Sequence, residues 1–342
     1  MSPELKSRVL SNIGQLLAIS DEWRNLYGRC PIATPFQRPE WIISWAETFS
    51  PERICVLEVR SGSKLVGLAP FLIYPRGEER VLAFMAGGVS DYLDLLADPQ
   101  YDCEVIRAIF HGIQELDIWT VLDLTDLSAN SVLHRSVFAK FATVHDQCSS
   151  IELPQTPQEL LQQFSKRQRA NLRQAHARVQ KAGGASVEVA TQETLPEFLE
   201  DLFRLHAARW LKGRQSGVLA DEKVKAFHLE ATPQLLDTGI LRLYRLRMST
   251  RTVAAMYTLF DQSTVFCYLQ GYDPDFAALS PGTYLMFAVM EEAIRAGANK
   301  FDLLRGEEVY KQHWRASRES TYRIQAARPF EFGPARPDLV AA

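Results

Sequence analysis

The segment at 265–315, VFCYLQGYDPDFAALSPGTYLMFAVMEEAIRAGANKFDLLRGEEVYKQHWR, predicts a strand, a turn of small residues, a helix and a second strand. Its first part, Val265–Tyr272, is rich in β-branched and aromatic residues, as buried strands are. After a Ser-Pro-Gly turn at 280–282, apolar residues recur at helical spacing until Gly297, and residues 300–304 form the second strand. Parallel strands need such a crossover, so we expect a parallel pair bridged by a right-handed connection.

The turn before this helix has the features of an anion site. Thr283 and Tyr284 fall in the first helical turn, where backbone N–H groups lack intrahelical partners. These donors and the positive end of the helix dipole attract phosphates and carboxylates. Gly282 lets a ligand approach the backbone closely. The alternative is that the turn only starts the helix, because proline is common there.

Composition is that of an ordinary globular protein. The chain has 342 residues, enough for two cores, with 46% hydrophobic and 23% charged residues. The formal net charge of −3 gives no global field that draws the chain to DNA or to an anionic membrane. No run of about 18 apolar residues is present, so we expect no membrane span.

Cysteine usage favours a reducing compartment. The five cysteines are far apart, form no CxxC pair, and have no histidines at zinc spacing, so we expect buried free thiols and no metal. The N-terminus lacks the long apolar run of a secretory signal. Both observations predict a cytoplasmic protein.

The first half of the chain predicts a small mixed α/β domain at 1–150. An amphipathic segment within residues 1–30 favours a helix. A hairpin, a third strand, a helix, another strand and a short helix at 131–138 follow. Asp91 and Tyr92 come after a glycine pair in a polar loop, which suits contact with substrate, although aspartates near turns are often solvated or capping residues.

A polar, proline-containing stretch at 145–157 predicts a domain boundary, which we place between residues 150 and 151. The next helix, from Pro157 to about Lys181, carries six Lys or Arg and no acid between 166 and 181. Arg169 and Arg173 are four residues apart and share a helix face that suits phosphates. The alternative is a solvated basic face.

Several segments resemble GNAT-superfamily N-acyltransferases of the CelD-like type, which are linked to bacterial cellulose and other polysaccharide biosynthesis. These segments are GYDPDFAALSPGTYL, FDLLRGEEVYKQHW, FSKRQRANLRQAHARVQKAGG, PEWIISWAETF, KLVGLAPFLIYP and DYLDLLAD. The resemblance runs from about Phe36 to Pro329. Fem-type transferases, which use aminoacyl-tRNA and repeat the GNAT fold, are relatives of this family. One departure is the glycine-rich GNAT loop, of which only Gly282 is kept, as in the CelD-like and Fem-like branches.

The resemblance implies an α/β fold with mixed sheets and tandem GNAT-like acyltransferase domains, a degenerate one at 1–150 and an active one at 151–342. It implies acyl-CoA, typically acetyl-CoA, as co-substrate, and a sugar or small-molecule amine as acceptor in a cleft between the halves. Envelope polysaccharide synthesis is the expected setting. The alternatives are a Fem-type transferase that uses charged tRNA, and a binding or assembly protein without turnover.

Candidate catalytic residues follow from this reaction. Asp302 is a carboxylate inside an apolar strand, which must be paired or have a raised pKa. Tyr272 and Tyr310 are candidate acids for the leaving thiolate. Lys311, in a Tyr-Lys pair that matches the family, is a candidate for binding substrate or polarising the acyl carbonyl.

Two further candidates lie near the end of a long helix at 194–211. In the GNAT order, the loops after the first helices cover the acceptor. Trp210 therefore suits the wall of the acceptor site, and His206 suits proton transfer. A single histidine on a helix is more often structural.

Overall fold

The computed structural model describes residues 5–212, 217–306 and 308–329. They divide into an N-terminal unit, which holds the described residues up to Gln147 together with those from Glu319 onward, and a C-terminal unit, Cys148–Arg318. The elements up to the boundary are β1 Leu5–Leu10, α1 Ile13–Ala18, α2 Ser20–Arg29, α3 Pro39–Phe49, β2 Ile54–Ser61, β3 Lys64–Arg76, β4 Glu79–Phe84, β5 Leu96–Ala97, α4 Asp102–Glu115, β6 Val121–Leu127 and β7 Ala142–Glu152.

The remaining elements complete the C-terminal unit and return to the first. They are α5 Pro157–Gln163, α6 Lys166–Lys181, β8 Ser186–Val189, α7 Leu195–Lys212, α8 Glu222–Asp237, β9 Leu241–Met248, β10 Arg251–Asp261, β11 Thr264–Tyr272, α9 Pro281–Arg295, β12 Lys300–Arg305, α10 Val309–His313 and β13 Ser317–Ala327.

The two units repeat one strand order. In the N-terminal unit the order is β1-β2-β3-β4-β6-β13, and in the C-terminal unit it is β8-β9-β10-β11-β12-β7. In each unit the first three pairings are antiparallel, the next is parallel and the last is antiparallel. The parallel pairs are β4 with β6, joined through α4, and β11 with β12, joined through α9. This repeat of a mixed sheet confirms the predicted tandem α/β architecture.

The helix predicted between β11 and β12 is present as α9, and the apolar residues that recur at helical spacing are buried. On α9, Leu285, Met286, Val289 and Met290 are buried at 0–1% exposure. They pack with the apolar side chains of β10, β11 and β12 in one hydrophobic cluster. Burying each such side chain stabilises the fold by about 1.5–3 kcal/mol.

Helices α7 and α9 lie on opposite faces of the C-terminal sheet. A Cβ at Gly271 would come within 2.4 Å of the backbone nitrogen of His206, so β11 touches the backbone of α7 there. The next residue, Tyr272, faces the other way, and its ring lies 3.8 Å from where a Cβ at Gly282 of α9 would be. Successive strand residues point to opposite faces, which fixes this arrangement.

Three local predictions differ from the structure. The N-terminal segment begins with strand β1, which precedes the helices α1 and α2. Strand β1 pairs with β2 and so supplies hydrogen-bond partners for the backbone at the edge of β2. The single helix expected at 157–181 is two helices, because Ser165 and Gln168 form a capping box that starts α6 afresh. The helix expected at 131–138 is instead a short 3₁₀ turn, Val137–Phe141, that begins at a Ser136 cap.

The last strand also changes the domain limits. The sequence predicts that all of 151–342 belongs to the second domain. In the structure, β13 pairs with β6 from Tyr322 to Ala327 and so joins the N-terminal sheet. A strand that returns from the far end of the chain leaves no local signal in the sequence.

Candidate functional site

The site begins where two parallel strands part. Strand β11 pairs with β12 only from Thr264 to Phe266, opposite Lys300 to Asp302. On its other side β11 continues to pair with β10 as far as Tyr272. Beyond Phe266, the edge of β11 therefore no longer pairs with β12.

Beyond its last pair with β11, at Asp302, strand β12 makes a local turn at the left-handed residue Leu304, whose φ is 60°. Asp302 Oδ1 accepts a hydrogen bond from the Leu304 backbone nitrogen at 2.8 Å. Lys311 Nζ donates to the carbonyl oxygens of Leu304, Arg305 and Gly306, and forms an ion pair with Glu308. Both side chains are buried, and both bind the turn.

A cavity of about 550 Å³ occupies the opening. All the residues that line it belong to the C-terminal unit. They are Phe164, Gln168, Asn171, Leu172, Gln174, Arg178, Arg209, Gln270, Tyr272, Ala277, Ser280, Pro281, Gly282, Thr283, Met286, Tyr310, His313 and Trp314.

The N-terminus of α9 forms one wall. Gly282 and Thr283, two of the predicted donor-binding residues, line the cavity. The side chain of Ser280 makes no capping hydrogen bond. The first helical hydrogen bond runs from the amide of Tyr284 to the Ser280 carbonyl at 3.1 Å, so the amides of Gly282 and Thr283 precede the intrahelical ladder. Tyr284 itself stacks on His176, with ring centroids 5.8 Å apart.

Helix α6 forms a second wall with a face different from the one expected. Arg178 lines the cavity, whereas Arg169 and Arg173 are not among its lining residues. Arg178 Nη1 donates to the carbonyl of Ala278 at 3.2 Å. Arg173 is exposed, and its Nε donates to the Arg169 carbonyl of its own helix at 3.3 Å. The cavity face of α6 is otherwise made of amide and apolar side chains.

Two predicted tyrosines, Tyr272 and Tyr310, line the cavity together. Burial raises the pKa of the Tyr310 phenol well above its usual range, with a smaller opposing effect from a hydrogen bond to Gln270. Tyr310 therefore keeps its proton at neutral pH. Burial likewise raises the pKa of the nearby Cys267 thiol to about 12.

Helix α7 brings a third group of side chains. Arg209 lines the cavity, and its Nη1 donates to the Gln270 carbonyl at 3.4 Å. The Arg209 guanidinium carbon lies 5.4 Å from the ring centre of Tyr310 and 5.9 Å from that of Trp210. His206 Nε2 accepts a hydrogen bond from Trp210 Nε1 at 2.9 Å. Burial, aided by the charge of Arg209, lowers the pKa of His206 to about 4.

The two candidates from the first half lie in the N-terminal unit. Asp91 and Tyr92 are 9% and 8% exposed. The Tyr92 carbonyl accepts a hydrogen bond from Gln37 Nε2 at 2.9 Å, and its ring lies 6.5 Å from that of Phe36. Neither residue lines the cavity. Their substrate-binding role stays a prediction.

The charged side chains that are described in the cavity lining are basic. Among the lining residues that the structure describes are two arginines and one histidine, Arg178, Arg209 and His313, and no aspartate or glutamate. Together with the amides of α9, this lining suits an anionic ligand.

Sequence reasoning missed Arg178 as a ligand-binding candidate, as well as Arg209, Gln270 and His313. Arg178 lies in the basic run at 166–181, but helical spacing alone does not say which face of the helix meets the cavity. Arg209 had one indirect signal, because Gly271, in a strand of bulky residues, indicates close approach of another backbone.

The described ranges of the chain are 5–212, 217–306 and 308–329. They contain no group of three His, Cys, Asp or Glu side chains arranged to hold a metal ion. They also contain no helix with the length and apolarity needed to cross a bilayer.

Comparison with known proteins identifies the region that forms most of the cavity. Residues 166–312 match the family described as acetyltransferase (GNAT) domain. This region includes α6, α7, β9 to β12 and α9. No curated protein sequence matches the chain significantly.

Solved structures share the fold over most of the chain. FemX is 12% identical, with a TM-score of 0.65, and the match covers 89% of this chain and 95% of FemX. The L-PGS structure from Bacillus licheniformis is 12% identical, with a TM-score of 0.57, covering 91% of this chain and 92% of that one. The C-terminal domain of a putative lysylphosphatidylglycerol synthetase from Agrobacterium fabrum is 11% identical, with a TM-score of 0.56, covering 90% and 92%.

These likenesses establish a shared fold over most of the chain, and the family match lies within the C-terminal unit. Residues 166–312 thus match an acetyltransferase (GNAT) domain, and the chain shares its fold with FemX.

Proposed function

We propose that the protein is an acyl-CoA-dependent N-acyltransferase whose acceptor is an amine on a sugar or small metabolite. The observation that carries this proposal is the cavity at the parting of β11 and β12, which has no acid among its described lining residues and is bordered by the first amides of α9 and by Arg178. A thioester donor with phosphates at one end matches such a site, since phosphates suit the helix N-terminus and the guanidinium.

The opening between the strands suits the thioester itself. The open backbone edge of β11 offers N–H donors to a carbonyl oxygen that gains negative charge during attack. The amine nitrogen bonds to the acyl carbon, the carbon–sulfur bond breaks, and the thiolate takes a proton. Tyr310 is the proposed donor of that proton because it is protonated and lines the cavity. Tyr272 is the second candidate acid.

Asp302 and Lys311 have a different proposed part. Their polar atoms bind the backbone around Leu304, and neither lines the cavity. We propose that they position the strand end, so that substitution changes the shape of the donor site. Acyl-CoA is a cytosolic metabolite, so the proposed reaction takes place in the cytoplasm, in the setting of envelope polysaccharide synthesis that the family resemblance suggests.

A second candidate donor is aminoacyl-tRNA, as in Fem-type transferases. The overall likeness to FemX supports it. So does the basic face of α6 outside the cavity, where Lys166, Arg167, Arg173 and Lys181 are exposed. A row of exposed cations suits a polynucleotide backbone better than a single coenzyme.

Titration calorimetry with acetyl-CoA, longer acyl-CoAs and free CoA tests the first proposal. We expect saturable binding that Arg178→Ala weakens about 10-fold or more, because charge-assisted hydrogen bonds are worth about 1.5–3 kcal/mol. Arg173→Ala, on the same helix but away from the cavity, is the matched control. Weakening by Arg173→Ala and not by Arg178→Ala would instead support the basic face predicted from the sequence.

The same titration distinguishes the two donors. No binding of any acyl-CoA would contradict the first proposal. Binding of charged tRNA that is lost in Arg173→Ala and in high salt, without binding of acyl-CoA, would establish the second.

A further inference from the structure

Two arginines enter the cavity from different elements. Arg178 comes from α6, and its hydrogen bond to the Ala278 carbonyl keeps it beside the segment that leads into α9. Arg209 comes from α7, and its hydrogen bond to the Gln270 carbonyl keeps it beside β11. The proposed donor phosphates account for the first arginine and leave the second without a ligand.

The two arginines approach from opposite sides of the sheet. The backbone of α7 meets β11 at Gly271, while α9 meets β11 through the ring of Tyr272. A single cavity has lining residues from both helices, so it passes through the sheet where β11 and β12 part. Arg209 therefore enters from the face opposite the N-terminus of α9. A thioester that lies in this opening presents its acyl carbon toward that face.

Arg209 is held in place but its charge is unpaired. Among the described residues, no carboxylate lies within ion-pair distance of its guanidinium; by contrast, Arg204, one and a half turns earlier on α7, pairs with Asp201 at 2.7 Å. The rings of Tyr310 and Trp210 flank the Arg209 guanidinium. One hydrogen bond, to Gln270, uses only part of a group that carries five N–H donors.

A fixed, unpaired guanidinium in a cavity is suited to a planar carboxylate, which it binds through two parallel hydrogen bonds. The neighbouring His206 does not compete with Arg209 for a ligand through Nε2, because that atom accepts a hydrogen bond from Trp210. The aromatic rings restrict the guanidinium before a ligand arrives, which lowers the entropic cost of binding.

We propose that Arg209 binds the carboxylate of the acceptor, and that the acceptor is therefore a carboxylate-bearing amine, either an amino acid or an amino sugar acid. This inference rests on the proposed N-acyltransferase function. In the reaction, the acceptor's ammonium group first loses a proton to solvent. The amine nitrogen then forms the amide bond, the thioester carbon–sulfur bond breaks, and the second proton from nitrogen balances the one taken up by the thiolate.

The test measures thiol release with acetyl-CoA and matched acceptor pairs, in which each amine is offered with a free carboxylate and as an analogue without one. The panel contains amino acids with their amides, and glucosamine uronic acid with glucosamine. We expect the carboxylate forms to be used at least 10-fold better as judged by kcat/KM. Arg209→Gln should raise the acceptor KM about 10- to 100-fold and abolish the preference, and Arg209→Lys should restore part of it.

Arg204→Gln is the matched control, since it removes a guanidinium from the same helix outside the cavity. Calorimetry with free CoA on Arg209→Gln keeps the inference separate from the proposed function. If Arg209→Gln binds CoA normally and the wild-type protein shows no carboxylate preference, the role of Arg209 is overturned but the proposed function is not. A complete lack of acyl-CoA binding by the wild-type protein would overturn the proposed function.

Two other assignments of the anion that Arg209 binds predict different results. If Arg209→Gln weakens binding of succinyl-CoA but not of butyryl-CoA, the carboxylate belongs to the acyl group and the acceptor assignment is wrong. If the substitution weakens binding of free CoA, Arg209 binds a donor phosphate, and the assignment is again wrong.

Discussion

Asp302 and Lys311 bind the same residue, Leu304, through its two backbone polar groups. The Asp302 carboxylate accepts the Leu304 N–H at 2.8 Å, and the Lys311 ammonium donates to the Leu304 carbonyl at 3.0 Å. Leu304 has a left-handed backbone with φ of 60°, which costs a branched residue free energy and needs such support. The two charged side chains thus stabilise the turn that follows the last pair between β11 and β12.

Replacing Lys311 with Met should therefore destabilise the fold as well as impair donor binding. The change removes the donor to three carbonyls and leaves Glu308 without its buried cation. We expect a loss of about 2–4 kcal/mol in the free energy of unfolding, measured by denaturant titration. Lys223→Met, at an exposed position on α8, should have little effect. A Lys311→Met protein of normal stability with a much reduced kcat would favour a direct chemical role.

Two glycine-to-alanine substitutions should have opposite consequences. At Gly271 the new methyl would lie 2.4 Å from the backbone nitrogen of His206, and backbone cannot yield cheaply. We expect Gly271→Ala to lower stability by about 1–3 kcal/mol or more. At Gly282 the methyl would meet only the Tyr272 ring, at 3.8 Å, so Gly282→Ala should keep or raise stability.

The donor affinity of the same two variants completes this prediction. Gly282→Ala places its methyl beside the amides that face the cavity, so acyl-CoA binding should weaken although the fold is intact. Thermal denaturation and calorimetry measure the two quantities independently. Equal stability of the two variants would contradict the close packing of α7 on β11.

The sequence predicts the elements that depend on local interactions and misses those that depend on pairing between distant segments. The sequence predicts β11, α9 and β12 because their periodicity is local and each has a clear end signal, such as Gly297. It misses β1 as a strand because a short segment of mixed polarity becomes a strand only by pairing with β2. The return of β13 to the first sheet is a contact between segments about 200 residues apart, such as Ile324 with Leu124.

The candidate site likewise contains residues that local sequence predicts and residues that only long-range packing brings into place. Gly282 and Thr283 are predictable because a helix N-terminus donates wherever it occurs. Tyr272 and Tyr310 lie at strand and helix ends next to that terminus. Arg209 reaches the cavity only because α7 approaches β11 at Gly271, and a single sequence does not give the angle of that approach.

The buried histidine beside Arg209 predicts a pH dependence of stability. The pKa of His206 is lowered to about 4 in the folded protein, below the usual value of about 6.5. The neutral form is thus favoured by folding, so this stabilisation is fully present above about pH 6.5 and is lost as the pH falls through 4. The full effect is about 3 kcal/mol.

His206→Gln, whose side chain cannot gain a proton, should flatten the stability profile between pH 6.5 and 4. Urea titrations followed by tryptophan fluorescence measure it, with Trp210 as the adjacent reporter. Part of the slope should remain, because burial also lowers the pKa of His228, to about 3. Identical profiles for both proteins would show that His206 is not the group that titrates.

Tyr310→Phe should lower kcat while the donor still binds. The Tyr310 hydroxyl stays protonated because burial raises its pKa, so it can supply a proton to the leaving thiolate. General acids contribute about 10²- to 10⁴-fold to rates, and the ring itself, which packs against Arg209, is kept in the variant. We therefore expect kcat to fall at least 100-fold with little change in acyl-CoA affinity. Tyr284→Phe, which alters a ring stacked on His176 outside the cavity, should have normal activity. If Tyr272→Phe shows the large loss and Tyr310→Phe does not, the acid is Tyr272, and the raised pKa of Tyr310 is only a consequence of its burial.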